Sequence, residues 1–393
     1  MATDPLAIPG PPSLIQPHRL LVRGVNWLGD AVMTTPALQR LRQRFPDAHI
    51  TLFTDEKLVE LWRNHPGLDE VLTFSRGENP WSVGRRLQAQ KFDTALVLPN
   101  SIRSALEVWW ARVPQRIGYA NPWRDLFLTQ RVPARPGHRP MRKLSTREIK
   151  RLISLPTSDG NRASRIVYNA SGSGTPPPDP HHIHQYLHLA AVLGTDPAPL
   201  PPHLTISPEE LETSRSKFGL GADSRPIVGL SPGAEYGPAK RWPVARFIEA
   251  ARAIRQQRDC IWLLLGGSAD RQTADAIFPA LNPGEAAIHN LAGKTSLREL
   301  MALLKTCRVL LTNDSGPMHV AAALGTPVVV PFGSTSHELT GPGLPRDPNH
   351  HLLNVKAPCS PCFRRICPID FRCMNGIRVD QVVQAVLDAM GPG

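Results

Sequence analysis

From His18 onward, short apolar runs alternate with longer segments whose apolar positions recur every three or four residues. The run "HRLLVRGV" at 18–25 predicts a first strand and residues 26–30 a tight loop. Behind them, the recurrence of Met33, Leu38, Leu41 and Phe45 predicts a helix. Apolar runs at 48–55, 68–74 and 92–100 predict three more strands, with helix-like stretches at 56–64 and 80–91 between them. Strands alternating with helices of this length imply βαβ units and a parallel sheet. A strand without polar alternation is what a sheet covered on both faces requires.

Residues 131–180 break the rhythm. Arg142, Lys143, Arg147, Lys150 and Arg151 form a basic cluster, and "NASGSGTPPPDP" at 169–180 is too rich in Gly, Ser and Pro to pack. The segment reads either as a solvated, partly mobile insertion or as a flap that meets an anionic acceptor. "HIHQYLHLAAVLG" resumes as a helix and "DPAPLPPH" at 196–203 as an interdomain linker. The pattern then starts afresh. Ile227–Leu230, Cys260–Gly266, "RVLLTND" and "PVVVPFG" predict strands; 243–257, Arg271–Phe278, "SLRELMALLKTC", "GPMHVAAALG" and Val379–Met390 predict helices. Ser296 followed by Glu299 gives the third of these helices a capping box.

The fold class is therefore α/β, with two Rossmann-like domains in succession. A tail at 1–17 precedes a first domain at 18–195, which carries the insertion 131–180. A linker region at 196–224 leads to a second domain at 225–377 with a Cys-rich loop at 359–373, and a helix at 378–393 closes the chain. Two such domains make a natural ligand cleft between them, with chemistry expected at the carboxyl ends of the strands.

The chain of 393 residues is long enough for two hydrophobic cores. Its net charge of +12 favours phosphorylated ligands, anionic membrane surfaces or nucleic acid. Nucleic acid is not expected, because no nucleic-acid-binding motif occurs and the aromatics do not interleave with a basic stripe. The Pro-rich start "MATDPLAIPGPPSLIQP" holds no signal-peptide core, and no stretch approaches the ~18–20 apolar residues of a spanning helix. A frayed tail and a cytoplasmic location are the expectation. Six cysteines in a chain of this length do not make a secreted disulfide scaffold.

Three loops carry candidate chemistry. Asp30 ends the first loop and opens the first helix, where it reads either as an N-cap or as a carboxylate facing the cleft and able to act as a base. Gly29 beside it allows close backbone approach. No GxGxxG occurs, so the dinucleotide fingerprint is absent. In "TNDSGPMH" a strand delivers Asn313 and Asp314 to a loop, Ser315 and Gly316 open a helix, and Pro317 occupies its first turn. Free amides there suit a diphosphate, and His319, one turn in, can face the same anion. Lys240 and Arg241 in "SPGAEYGPAKRWP" supply the opposite side of that anion, so the second domain reads as the holder of a nucleoside diphosphate. Cys359, Cys362, Cys367 and Cys373 (C-x2-C-x4-C-x5-C) could hold zinc, form two disulfides or stay reduced.

These stretches resemble the ADP-heptose:lipopolysaccharide heptosyltransferases of glycosyltransferase family 9. The matching pieces are "RGVNWLGDAVMTTPALQRLRQRFPDAHITL", "SPGAEYGPAKRWP", "LAGKTSLRELMALL", "TNDSGPMHVAAALGTPVV" and "CSPCFRRICP", over about residues 19–388. The resemblance implies a GT-B fold, acceptor on the first domain, nucleotide-sugar on the second, and inversion at the anomeric carbon with no cofactor and no obligatory metal. It places the catalytic base on Asp30 and the donor-phosphate lysine on Lys240. Around the substrates it places Asn26, Trp27, Gly29, Tyr236, Arg241, Asn313, Asp314, Ser315, Gly316, Met318 and His319. It further implies ADP-heptose as donor and a lipid A–Kdo–heptose acceptor. The +12 charge, the basic cluster at 142–151 and the absence of a spanning segment add the expectation of loose attachment to the anionic inner face of the inner membrane, and a monomer is expected. Another nucleotide-sugar or acceptor, or a nucleotide-binding envelope-assembly protein that has lost its base, is the alternative.

Overall fold

In the computed structural model of this chain, residues 16–155, 179–221, 223–281 and 288–391 are described. They fall into two compact units. Residues 1–15 of the expected tail, and 169–178 of the Gly/Ser/Pro stretch, lie outside the described residues.

The first unit runs to His138 and adds His182–Leu200. Its strands are β1 (Arg19–Arg23), β2 (His49–Asp55), β3 (Glu70–Phe74), β4 (Thr94–Val97), β5 (Gln115–Tyr119) and β6 (Gln130–Val132). All pair in parallel, in the order β3-β2-β1-β4-β5-β6. The apolar runs behave as the sequence requires. Leu20, Leu21 and Val22 of β1 and Ala95, Leu96 and Val97 of β4 are fully buried, because helices cover the sheet. Val83 and Leu87 of helix Pro80–Gln88 and Ala105 and Val108 of helix Ile102–Trp110 pack onto Leu21, Phe53 and Val97.

The second unit comprises 139–181 and 201–393. It contains β7 (Ile227–Ser231), β8 (Ile261–Leu264), β9 (Ile288–Asn290), β10 (Val309–Thr312), β11 (Val328–Pro331) and β12 (His351–Leu353), ordered β12-β11-β10-β7-β8-β9 and again all parallel. Phe247 and Ile254 of helix Val244–Gln257 and Val382 and Val386 of helix Val379–Met390 close its core against Val228, Leu230, Val309 and Leu311. Both sheets have one topology: the first strand of each unit lies beside the fourth. That position is where strand order reverses, and ligands of such sheets bind at the loops leaving the carboxyl ends of the two central strands. In the first unit those loops follow β1 and β4; in the second they follow β7 and β10.

Several details differ from the sequence reading. Residues 56–62 form a 3₁₀ helix, and the first helix is two, Leu28–Met33 and Thr35–Arg44, broken at Thr34 where Pro36 follows. Residues 139–155 are not a mobile flap of the first domain but part of the second unit. Ser145 and Glu148 make a reciprocal capping box (2.7 and 3.2 Å) that starts helix Thr146–Ser154. The helix lays Ile149 on Cys359 and Cys362, and Leu144 N–H donates to the Cys362 carbonyl at 3.0 Å. The cause is its apolar stripe, which needs cover that the sequence alone does not locate. Among the described residues no helix is long and apolar enough to cross a membrane.

Candidate active site

In the first unit the site grows from the end of β1. Arg23 is buried there with Glu107, Nε donating to the carboxylate at 2.8 Å, and its other arm reaches the Gly24 carbonyl and Asn26 Oδ1. Glu107 also takes Arg103 at 2.8 Å, so two guanidinium groups compensate one buried carboxylate. This network fixes the loop from which Trp27 and Asp30 emerge. Trp27 is the N-cap of helix Leu28–Met33, 40% exposed, with Lys57 Nζ 5.5 Å from its ring centre. Asp30 lies inside the first turn and makes no cap for this helix, so the N-cap reading is corrected. Gly29 is likewise helical rather than part of a loop.

Helix Ile183–Ala191 brings in a residue the sequence did not single out, Tyr186. Burial first, and then the charge of Asp30, push its phenol well above the usual range, which keeps it protonated beside the Asp30 carboxylate. Tyr119, at the end of β5, donates to the Gln185 carbonyl at 2.7 Å and stacks on His188. Arg124, pulled down to about 10 by burial, donates to the carbonyls of Tyr119 (2.7 Å) and Val97 (3.2 Å) and ties the carboxyl ends of β5 and β4.

In the second unit the loops after β7 and β10 meet. Lys240 Nζ lies 2.7 Å from Asp314 Oδ2, with side chains only 14% and 4% exposed, and the Thr335 hydroxyl donates to the same oxygen at 2.5 Å. Ser315 is the N-cap of helix Gly316–Ala323 yet receives no hydrogen bond from it through its side chain, and Pro317 takes the first turn as its missing N–H allows. His319 sits one turn in and is buried. Arg241 donates to the Ala234 carbonyl at 3.2 Å.

Two expected ligand residues have other work. Asn313 is fully buried: its amide donates to the Pro232 carbonyl at 2.6 Å and its oxygen accepts from Trp242 N–H at 2.9 Å. It therefore fastens the Lys240 loop to β10. Met318 is fully buried and packs inside the unit.

The Cys-rich loop is the other feature that sequence reasoning did not place. Cys359, Cys362, Cys367 and Cys373 line one cavity with Ile149, Gly333 and Ser334, and all are free thiols. Among the described residues no group of three or more His, Cys, Asp or Glu could hold a metal ion. Burial raises Cys359 and Cys362 and pushes Cys373 up to about 12. The loop braces the loops that follow β7 and β11. Phe363 N–H donates to the Ser334 carbonyl and Tyr236 O–H to the Phe363 carbonyl, both at 2.7 Å, and Ala239 N–H donates to the Arg365 carbonyl at 2.9 Å. Only the contacts reveal this; the sequence shows a thiol spacing and no partner.

Comparison with known proteins gives one answer. The sequence profile described as glycosyltransferase family 9 (heptosyltransferase) matches residues 80–143 and 157–371. Lipopolysaccharide heptosyltransferase 2 of Salmonella typhimurium is 30% identical over 333 residues, covering 82% of this chain and 85% of that protein. Its counterpart in Escherichia coli is 31% identical with the same coverage. The solved structure of E. coli ADP-heptose lipopolysaccharide heptosyltransferase II superposes with a TM-score of 0.71 at 26% identity, over 95% of this chain and 98% of that one.

Proposed function

We infer the reaction from one premise: the chain belongs to glycosyltransferase family 9, the heptosyltransferases, and is a glycosyltransferase of GT-B fold. It transfers L-glycero-D-manno-heptose from ADP-heptose to the heptose of a lipid A–Kdo–heptose acceptor, the reaction of heptosyltransferase II. The observation that carries this reading is the Lys240–Asp314 pair beside the Ser315–Gly316 helix start, at the switch point of the second sheet. A cation and a helix N-terminus side by side suit a diphosphate.

The chemistry follows from where charge moves. The acceptor hydroxyl oxygen bonds to the anomeric carbon on the face opposite the diphosphate. Its proton passes to the Asp30 carboxylate. The bond from the anomeric carbon to the diphosphate oxygen breaks, and its electron pair leaves with ADP. One displacement inverts the anomeric centre, so one base suffices and no sugar–enzyme bond forms. Lys240 meets the charge that grows on the leaving ADP, which is where a fixed cation gains most.

The exposed basic face of helix Thr146–Ser154, with Arg147, Lys150 and Arg151, joins Lys143 and Arg142 in supporting attachment to an anionic inner-membrane surface from the cytoplasmic side. Arg142 is partly neutralised by Glu148 at 2.7 Å, so four cations carry most of this attraction. The test of the transfer reaction is a mass-spectrometric screen of purified protein against ADP- and UDP-sugars with a heptosylated core acceptor. Addition of one heptose from ADP-heptose supports the reading; turnover of another donor in its place refutes it.

A further inference from the structure

We propose that Arg365, on the Cys-rich loop, is a second cationic ligand of the donor diphosphate, acting beside Lys240. The proposal rests on the donor reading above and adds a residue to it. Tyr236 shows the juxtaposition. Lys240 Nζ lies 5.0 Å and the Arg365 guanidinium carbon 5.2 Å from the centre of its ring. The two cations share one aromatic platform, and the tyrosine hydroxyl is anchored on the Phe363 carbonyl, so the platform is fixed.

The backbone fixes Arg365 as well. Its carbonyl accepts Ala239 N–H at 2.9 Å, directly before Lys240. Gly237 has φ +151°, and a Cβ there would come within 2.7 Å of that same carbonyl oxygen. The approach of the two loops therefore requires glycine at 237, and it places Arg365 against the turn that presents Lys240.

Charge then distinguishes Arg365 from its neighbours. Arg372 is paired with Asp370 at 2.8 Å, and Arg364 donates to the Leu144 carbonyl at 3.2 Å. Arg365 is exposed, and among the described residues no carboxylate pairs with it. Lys240 is already balanced by Asp314, so the pair is close to neutral overall. A diphosphate that gains charge on leaving calls for a further cation, and a stacked guanidinium offers two parallel N–H donors to phosphate oxygens.

The experiment measures ADP and adenosine binding by calorimetry to wild type, Arg365→Ala and Arg365→Lys. Loss of a charge-assisted phosphate contact predicts ADP binding weakened about 10- to 100-fold in Arg365→Ala. Adenosine, which has no phosphate, stays within about 3-fold, and Arg365→Lys falls between because it keeps charge without the planar fork. The unfolding midpoint is unchanged, since the Arg365 carbonyl bond survives the substitution. Equal ADP affinity in wild type and Arg365→Ala overturns the proposal and leaves the donor reading standing. Equal losses for ADP and adenosine also overturn it, by showing a purely structural role. A wild type that does not bind ADP overturns the donor reading and this proposal together.

Discussion

Replacing Lys240 by methionine keeps most of the side-chain stem and removes its charge. The carboxylate of Asp314, 4% exposed, then loses its cation and keeps the Thr335 hydroxyl. Stranding one half of a buried ion pair costs about 3–5 kcal/mol. Lys240 is 14% exposed and the Thr335 bond persists, which puts the expected loss at the lower end, ~3 kcal/mol. The double variant Lys240→Met/Asp314→Asn removes both charges and leaves an oxygen for Thr335, so its stability should return to within about 1 kcal/mol of wild type. Catalysis should not return. A preorganised donor aimed at developing charge is worth about 10²–10³-fold in kcat, and neutralising Asp314 restores none of it. Urea unfolding followed by tryptophan fluorescence reads the first quantity, and initial rates of ADP release read the second. Recovery of rate together with stability in the double variant would refute the leaving-group role; a stable Lys240→Met enzyme would refute the buried-pair geometry.

Three further outcomes are expected. Glu210 is held down at about 2 by its hydrogen bond from Arg298 and then by the Ser207 N–H. Its unfolded value is about 4.3, so the unfolded chain binds more protons between these limits and stability falls as pH drops from about 4.5 toward 2. Glu210→Gln should flatten that part of a urea-midpoint curve, and curves that stay parallel would count against the pair. Iodoacetamide on the native protein should reach the half-buried Cys367 first and Cys307 and Cys373 last, since burial pushes both of the latter up to about 12; peptide mass spectrometry that finds Cys307 labelled as fast as Cys367 contradicts the burial. Anionic vesicles should pellet the wild type at low salt and release it by ~0.5 M NaCl. A variant neutralised at Arg142, Lys143, Arg147, Lys150 and Arg151 should pellet less, and equal pelleting removes that face from the account.

The parallel sheets were legible because their central strands are buried on both faces and so read as unbroken apolar runs, as in β1, β4, β7 and β10. The helix starts were legible where chemistry is local: Ser296 and Glu299 form the expected capping box, at 2.9 and 3.2 Å. The short outer strands β6, β9 and β12 carry too few apolar residues to show a period, and the sequence reading did not find them. At the candidate site, the loops were legible and the division of labour inside them was not. Asn313 and Asp314 are adjacent in the chain, yet one fastens a loop and the other holds a lysine, and only tertiary contacts separate the two. Tyr186 gave no signal at all. It is an ordinary residue whose importance comes from a partner on another element. Helix Thr146–Ser154 looked like part of an insertion because its apolar stripe finds cover only on the distant Cys-rich loop.

The most direct measurement of the central claim, that Asp30 takes the acceptor proton in a heptosyl transfer, compares wild type with Asp30→Asn. Purified proteins are given ADP-heptose and a heptose-bearing core acceptor, and product is followed by mass spectrometry alongside calorimetric ADP binding. General-base help is worth ~10²–10⁴-fold, so the Asp30→Asn rate should fall by that factor while ADP affinity stays within a few-fold. A rate within about 5-fold of wild type would contradict the assignment of Asp30 as the base.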